Sequence, residues 1–184
     1  MKYPLLKQKD SDQLDFIKFW ANMYEYSNEQ IYEDNIGQLT PGAIRKLYFC
    51  KNGGKLSHQK QKSIEENYIK KLDKIKKLDK DIELKNFFEI FNMGGAIWRI
   101  FFLHIWQPKR YPIYDQHVYR AMNFIQRGLI EEIPNNDSKK IESYIRRYVK
   151  FHAKFNKDTG RNVDKALFTF GRFLKSQFRR VIIK

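Results

Sequence analysis

Residues 92–121, NMGGAIWRIFFLHIWQPKRYPIYDQHVYRA, carry the side chains whose types and spacing suit chemistry. Asp115 stands where a new helix should begin. A carboxylate there has two readings. It can accept amide bonds as a plain helix cap. If it faces an open cleft, it can instead stabilise a developing oxocarbenium ion or activate a water. Lys109, Arg110, His117 and Arg120 lie close to it in sequence and make the local potential positive. Upstream, Asn92-Met93-Gly94-Gly95 is a tight turn between a short helix and an apolar one. Such a turn leaves backbone N–H groups unpaired at the start of the second helix, where they and the helix dipole can hold an anion. Glycines there let a phosphate come close; the plainer reading is an αα-corner.

The elements that position these residues follow from periodicity and punctuation. Residues 96–106 are apolar all round, interrupted only by Arg99 and His104, which predicts the central buried helix. A proline-bounded loop, 108–112, leads to Asp115, and a helix over 116–127 stops at Gly128. Earlier, Leu14, Ile17, Trp20, Ala21 and Tyr24 share a face of a helix over 10–26, with Asp10 and Gln13 at capping-box spacing. Thr40-Pro41 opens a helix that Asn52-Gly53-Gly54 closes. Ile64, Tyr68, Leu72 and Ile75 form the stripe of one long helix from about Ser57. Asp137-Ser138 caps a helix that turns Tyr144, Tyr148 and Phe151 inward. The last helix runs from about Val163 to Val181 with Phe170, Leu174 and Phe178 on its stripe, and Gly171 within it marks a close helix contact. No period-2 strand is found. The expected fold is all-α, about eight helices in a single domain over 1–184, with an N-terminal helical part near 10–80 and a hairpin-bearing part near 83–184.

Composition narrows the partners. Thirty-six Lys and Arg against 21 Asp and Glu give a net charge of +15. That excess favours a polyanion, nucleic acid before membrane. The single cysteine, Cys50, can build neither a disulfide nor an iron–sulfur cluster nor a structural zinc site. With no signal-type segment and no apolar run of membrane-spanning length, a cytoplasmic protein is expected.

The residues quoted above resemble the signature of the helix–hairpin–helix DNA glycosylases, with the 8-oxoguanine glycosylase branch nearest. In that superfamily a G-h-G hairpin enters an apolar helix, and after a loop the chain reaches an h-D-x-H-[V/M]-x-R-like run. The resemblance covers about 30 residues. It implies an all-α glycosylase fold acting on duplex DNA with a flipped base. Asp115 would stabilise positive charge on the deoxyribose as the glycosidic bond breaks. Asn92, Met93, Gly94 and Gly95 would hold a DNA phosphate, with a monovalent cation on the hairpin carbonyls, and Lys109, Arg110, His117 and Arg120 would add contacts. Two departures are specific. The lysine that bifunctional members carry just after the hairpin is replaced here by Gly95 or Ala96, which implies hydrolysis without lyase chemistry. The hairpin reads N-M-G-G rather than G-h-G. The alternative is a glycosylase-like fold that binds DNA without cutting it. A flipped base would need aromatic walls; Trp98, Phe101, Phe102, Trp106, Tyr111, Tyr114, Phe170 and Phe173 are the candidates, with Tyr111 and Tyr114 the least core-like by position.

Overall fold

The structure, a computed structural model, describes residues 10–155 and 160–175. Among these residues it is all-helical, without a strand, as the periodicity predicts. The chain divides into two compact units: Tyr26–Tyr111, and Met1–Glu25 together with Pro112–Lys184. The sequence reading takes 1–184 as one domain, with a helical part near 10–80 and a hairpin-bearing part near 83–184; the compact units have their boundaries at 25/26 and 111/112.

The unit Tyr26–Tyr111 contains α2 (Glu29–Asn35), α3 (Pro41–Lys51), α4 (His58–Asn67), α5 (Leu72–Lys76), α6 (Leu84–Ile90) and α7 (Ala96–Trp106). Local chemistry sets several of these ends. The Thr40 hydroxyl accepts from the Ala43 N–H at 3.2 Å, with Pro41 in the first turn, and Asn52 closes α3. The single long helix expected from Ser57 is not continuous. It breaks at Tyr68, and a 3₁₀ turn over Ile69–Lys71 leads into α5. The break turns the Tyr68 ring into the core, stacked on Tyr48 at 4.8 Å. The apolar stripe survives it, since Ile64, Tyr68, Leu72 and Ile75 are all buried. Helix α7 is the centre of this unit. It buries Ile100, Phe101, Phe102, Leu103 and Ile105. Rings from α3 and from α6 with its C-cap pack on it: Tyr48 on Phe101, Phe91 on Phe102, and Phe87 stacked on Trp106.

The other unit contains α1 (Asp10–Asn22), α8 (Gln116–Arg127), α9 (Asp137–Ser143), a π-helical turn (Tyr144–Tyr148), α10 (Val149–His152) and α11 (Arg161–Lys175). Helix α11 packs against both α1 and α8. Phe170 is the common contact, with Phe16 at 5.3 Å, Trp20 at 5.0 Å and Phe124 at 5.7 Å. Helix α1 stops at Asn22, short of Tyr26, and buries Phe16 while leaving Leu14 42% exposed. Asn136, not Asp137 or Ser138, caps α9, accepting from Lys139 N–H at 3.0 Å. The Asp10 side chain, Phe178 and Val181 lie outside the described residues.

Gly171 is where α11 comes closest to α8. A Cβ at that position would sit 2.0 Å from the His117 carbonyl oxygen, a backbone atom that cannot rotate away. Gly171→Ala therefore forces the helices apart and should cost about 3 kcal/mol or more, measured as a lower urea midpoint at unchanged m value.

Candidate functional site

Asp115 is the N-cap of α8. Its Oδ1 accepts from the N–H groups of His117 at 2.8 Å and Val118 at 3.1 Å. Two bonds on one oxygen fix the rotamer of a half-buried carboxylate, and the positive end of the α8 dipole lies under it. Gly128 closes the same helix in the left-handed conformation, φ 67°.

The ground behind Asp115 is aromatic. Tyr114 packs on Tyr144 at 5.3 Å and Tyr148 at 5.1 Å, and the Tyr144 hydroxyl donates to the Pro112 carbonyl at 3.2 Å. The π-helical turn thus grips both sides of the segment that presents the carboxylate. Such turns have one extra residue per turn and cluster at functional sites. Burial pushes the Tyr114 and Tyr148 phenols well above their ordinary pKa, and for Tyr148 the charges of Asp164 and Asp115 act in the same direction. Tyr114 stands among the least core-like aromatic candidates by sequence position, and it is buried. It is 1% exposed, and Tyr111, the other such candidate, is 4% exposed. Each is buried within its own unit.

His117 is half-buried, its ring edge-on to Phe168 at 4.9 Å. Burial lowers its pKa, nearby Asp115 opposes that shift, and Arg120, Lys175 and Arg172 add to it. Arg120 is the clearest correction to the sequence reading. It was placed among the DNA contacts, yet its side chain is fully buried. Its guanidinium donates to the Gly171 carbonyl at 2.9 Å and to Glu132 at 2.7 Å. It ties α8 to α11 and to the chain beyond α8. A buried arginine in a stable fold must have such partners, and Gly171, lacking a side chain, leaves its carbonyl within reach.

The hairpin candidates and the proline-loop cations belong to the unit Tyr26–Tyr111. Helix α6 ends at Ile90 and α7 begins at Ala96, with Gly95 as N-cap. Asn92, Met93, Gly94 and Gly95 are all exposed, Met93 at 57%. Gly94 has φ +84°, and a Cβ there would meet the Tyr68 hydroxyl at 2.8 Å. The turn thus needs glycine at 94 for its own geometry. Gly95 is the N-cap of α7 and, lacking a side chain, makes no side-chain cap bond; its carbonyl accepts from the N–H groups of Trp98 at 3.0 Å and Arg99 at 3.1 Å. Lys109 is exposed. Arg110 is exposed but engaged, donating to the Lys80 carbonyl at 2.7 Å and Asp81 at 2.8 Å and lying over the Tyr111 ring.

Comparison with protein-family models, with curated proteins and with solved structures finds no match. The glycosylase resemblance therefore rests on the sequence of residues 92–121 alone. Among the described residues no group of three or more His, Cys, Asp or Glu converges to hold a metal ion, and no helix is long and apolar enough to cross a membrane.

Sequence reasoning passed over His104, which is 2% exposed inside α7. Its Nδ1 lies 2.6 Å from the Tyr111 carbonyl and its Nε2 2.6 Å from the Tyr32 hydroxyl. A carbonyl only accepts, so Nδ1 carries the proton, and in the neutral ring Nε2 accepts from Tyr32. A histidine in an otherwise apolar run was the available signal. The π-helical turn left no comparable signal.

Two measurements check this geometry. Arg120→Ala should lose about 2–4 kcal/mol of stability, because a large void opens and the Gly171 carbonyl is orphaned; the salt dependence of DNA binding should not change. The His117 ring, followed by NMR, should titrate below its ordinary value near 6.5. Asp115→Asn should move that midpoint further down, since the charge favouring the imidazolium is gone. The sign for stability follows: the unfolded chain takes up this proton first, so the His117 contribution is intact above about pH 6.5 and is lost as pH falls toward the folded-state midpoint.

Proposed function

We propose that this protein is a DNA glycosylase-like base excision enzyme that hydrolyses the N-glycosidic bond of a damaged or modified base without lyase activity. The observation that carries this reading is Asp115 itself: a half-buried carboxylate, held in one rotamer by two amides at a helix N-terminus, in the D-Q-H-V run that follows a glycine hairpin.

The chemistry asked of Asp115 is electrostatic. As the glycosidic bond lengthens, the sugar gains oxocarbenium character, and a fixed negative charge stabilises it without reorganising. The cap does not compete with this role, because capping orients the charge and leaves it in place. The buried tyrosines behind the carboxylate exclude water from one side and hold its backbone. The incoming nucleophile is water, since neither Gly95 nor Ala96 offers the amine that Schiff-base chemistry requires.

The hairpin would serve as an anchor: backbone N–H groups of the exposed turn 92–95 would donate to a DNA phosphate, and its carbonyl oxygens are of the kind that ligates a monovalent cation. The exposed lysines, Lys109 among them, would add a salt-dependent attraction to the phosphate backbone. The cation supplies binding only, and no step of the hydrolysis passes through it.

The test is a panel of duplexes carrying 8-oxoguanine, alkylated purines, uracil, or hydroxymethylated or glucosylated cytosine. Each is incubated with wild type and Asp115→Asn, then treated with hot alkali. Wild type should give alkali-dependent cleavage on one lesion, and Asp115→Asn should lose at least about 100-fold in turnover while binding the duplex unchanged. Equal turnover by the variant would sink the catalytic role. Binding without cleavage of any duplex would leave a DNA-binding protein of glycosylase-like design.

A further inference from the structure

A cleft of about 1040 Å³ opens within the unit Tyr26–Tyr111, between α2, α3, α4 and the turn that follows α3. Neither the hairpin nor the proline loop lines it. Its polar groups are sorted by type. Three amide side chains in its wall donate their NH₂ groups to backbone carbonyls: Asn35 to Ile31 at 2.7 Å, Gln38 to Asp34 at 2.7 Å and Gln61 to Leu56 at 3.2 Å. Each amide keeps one N–H after that bond, and its carbonyl oxygen is an acceptor open to a ligand's donor. With the Asp34 carboxylate, these make a wall of acceptors.

The cations are sorted too. Arg45 is committed to Glu65 through two bonds of 2.5 and 2.9 Å. Lys46 and Lys55, both exposed, supply the ammonium groups at the rim. Phe49, one turn along α3 from Lys46, also lines the cleft and is 37% exposed. An aromatic of that size left open to solvent beside two lysines is the composition of a stacking platform with phosphate contacts. The volume is ample for a ligand of nucleotide size.

We propose that this cleft binds a nucleoside phosphate whose base carries an amino group, with the base against Phe49, the amino group toward the acceptor wall and the phosphate on Lys46 and Lys55. A free mononucleotide and a unit of a single strand present the same chemistry. The site stands apart from the glycosylase reading, since it uses neither Asp115 nor the hairpin.

The experiment uses the full chain and fluorescence anisotropy with labelled (dA)₈, (dT)₈ and an abasic oligomer of equal length, and dAMP as competitor. Wild type should bind (dA)₈ more tightly than (dT)₈, which lacks an amino group, and the abasic oligomer least. Phe49→Ala should weaken (dA)₈ roughly tenfold and leave the abasic oligomer unchanged; Phe49→Tyr should restore binding. Lys46→Ala with Lys55→Ala should weaken all strands and flatten the salt dependence. These are surface substitutions, and circular dichroism checks that the helices persist. Competition by dAMP that Phe49→Ala abolishes would assign the site to a free nucleotide. Phe49-dependent strand binding without such competition would assign it to single-stranded nucleic acid. Equal affinity for (dA)₈ and the abasic oligomer, (dA)₈ binding indifferent to Phe49, or no binding of any probe would overturn the proposal.

Discussion

The Asp115 unit depends on one close approach of backbone to backbone. At Gly171 the helix α11 meets the His117 carbonyl of α8 with no side chain between them. That approach places the Gly171 carbonyl within reach of Arg120, whose guanidinium fills the space a second helix would otherwise leave empty. Arg120 in turn sits one turn along α8 from the residues that cap on Asp115. Helix α8 is therefore clamped near its N-terminus, where two amides hold the Asp115 carboxylate in one rotamer. Positioning of that quality is what electrostatic stabilisation of a transition state requires. A carboxylate on a mobile loop would lose the advantage to reorganisation.

The unit Tyr26–Tyr111 is organised differently. Its fixed point is α7, whose sides are nearly all apolar, so it can only be stable with neighbours around it. Inside that helix the buried ring of His104 is met at both nitrogens. One of those bonds secures the Tyr111 carbonyl, and thus the end of the proline loop. The same side chain that solves a burial problem also sets the course of the chain as it leaves the unit. Asn92–Gly95 can remain exposed because the helices on either side of it are anchored by Phe87, Phe91 and Phe102 and not by the turn.

How much of this was legible in the sequence depended on whether the determining chemistry was local. Thr40-Pro41 and Asn52-Gly53 bound α3 because caps act within a turn of the residues that make them. Gly128 ends α8 and the glycine pair separates α6 from α7 for the same reason. Gly171 was readable as a close contact because a glycine inside an amphipathic helix has few other uses. The break at Tyr68 was not readable: the stripe Ile64, Tyr68, Leu72, Ile75 keeps its spacing through it. The π-helical turn was hidden likewise. Within the candidate site, the placement of Asp115 at a helix start could be read. The burial of Arg120, Tyr111 and Tyr114 could not, since each is decided by acceptors and rings that arrive from distant parts of the chain.

The distribution of cations bears on how a chain of charge +15 could recognise anything. Among the described residues the arginines are largely engaged within the protein: Arg45 on Glu65, Arg110 on Asp81, Arg120 on Glu132, Arg127 on Glu131, Arg146 on Glu142 and Arg147 on Asn123. Arginine is the side chain suited to reading a base edge by a two-pronged bond, and lysine the one suited to a diffuse positive field. A surface whose excess charge is carried mainly by lysine attracts phosphate backbones of any sequence and releases counterions on doing so. Selectivity must then come from concave places where shape, acceptors and aromatic faces converge, not from the convex basic surface.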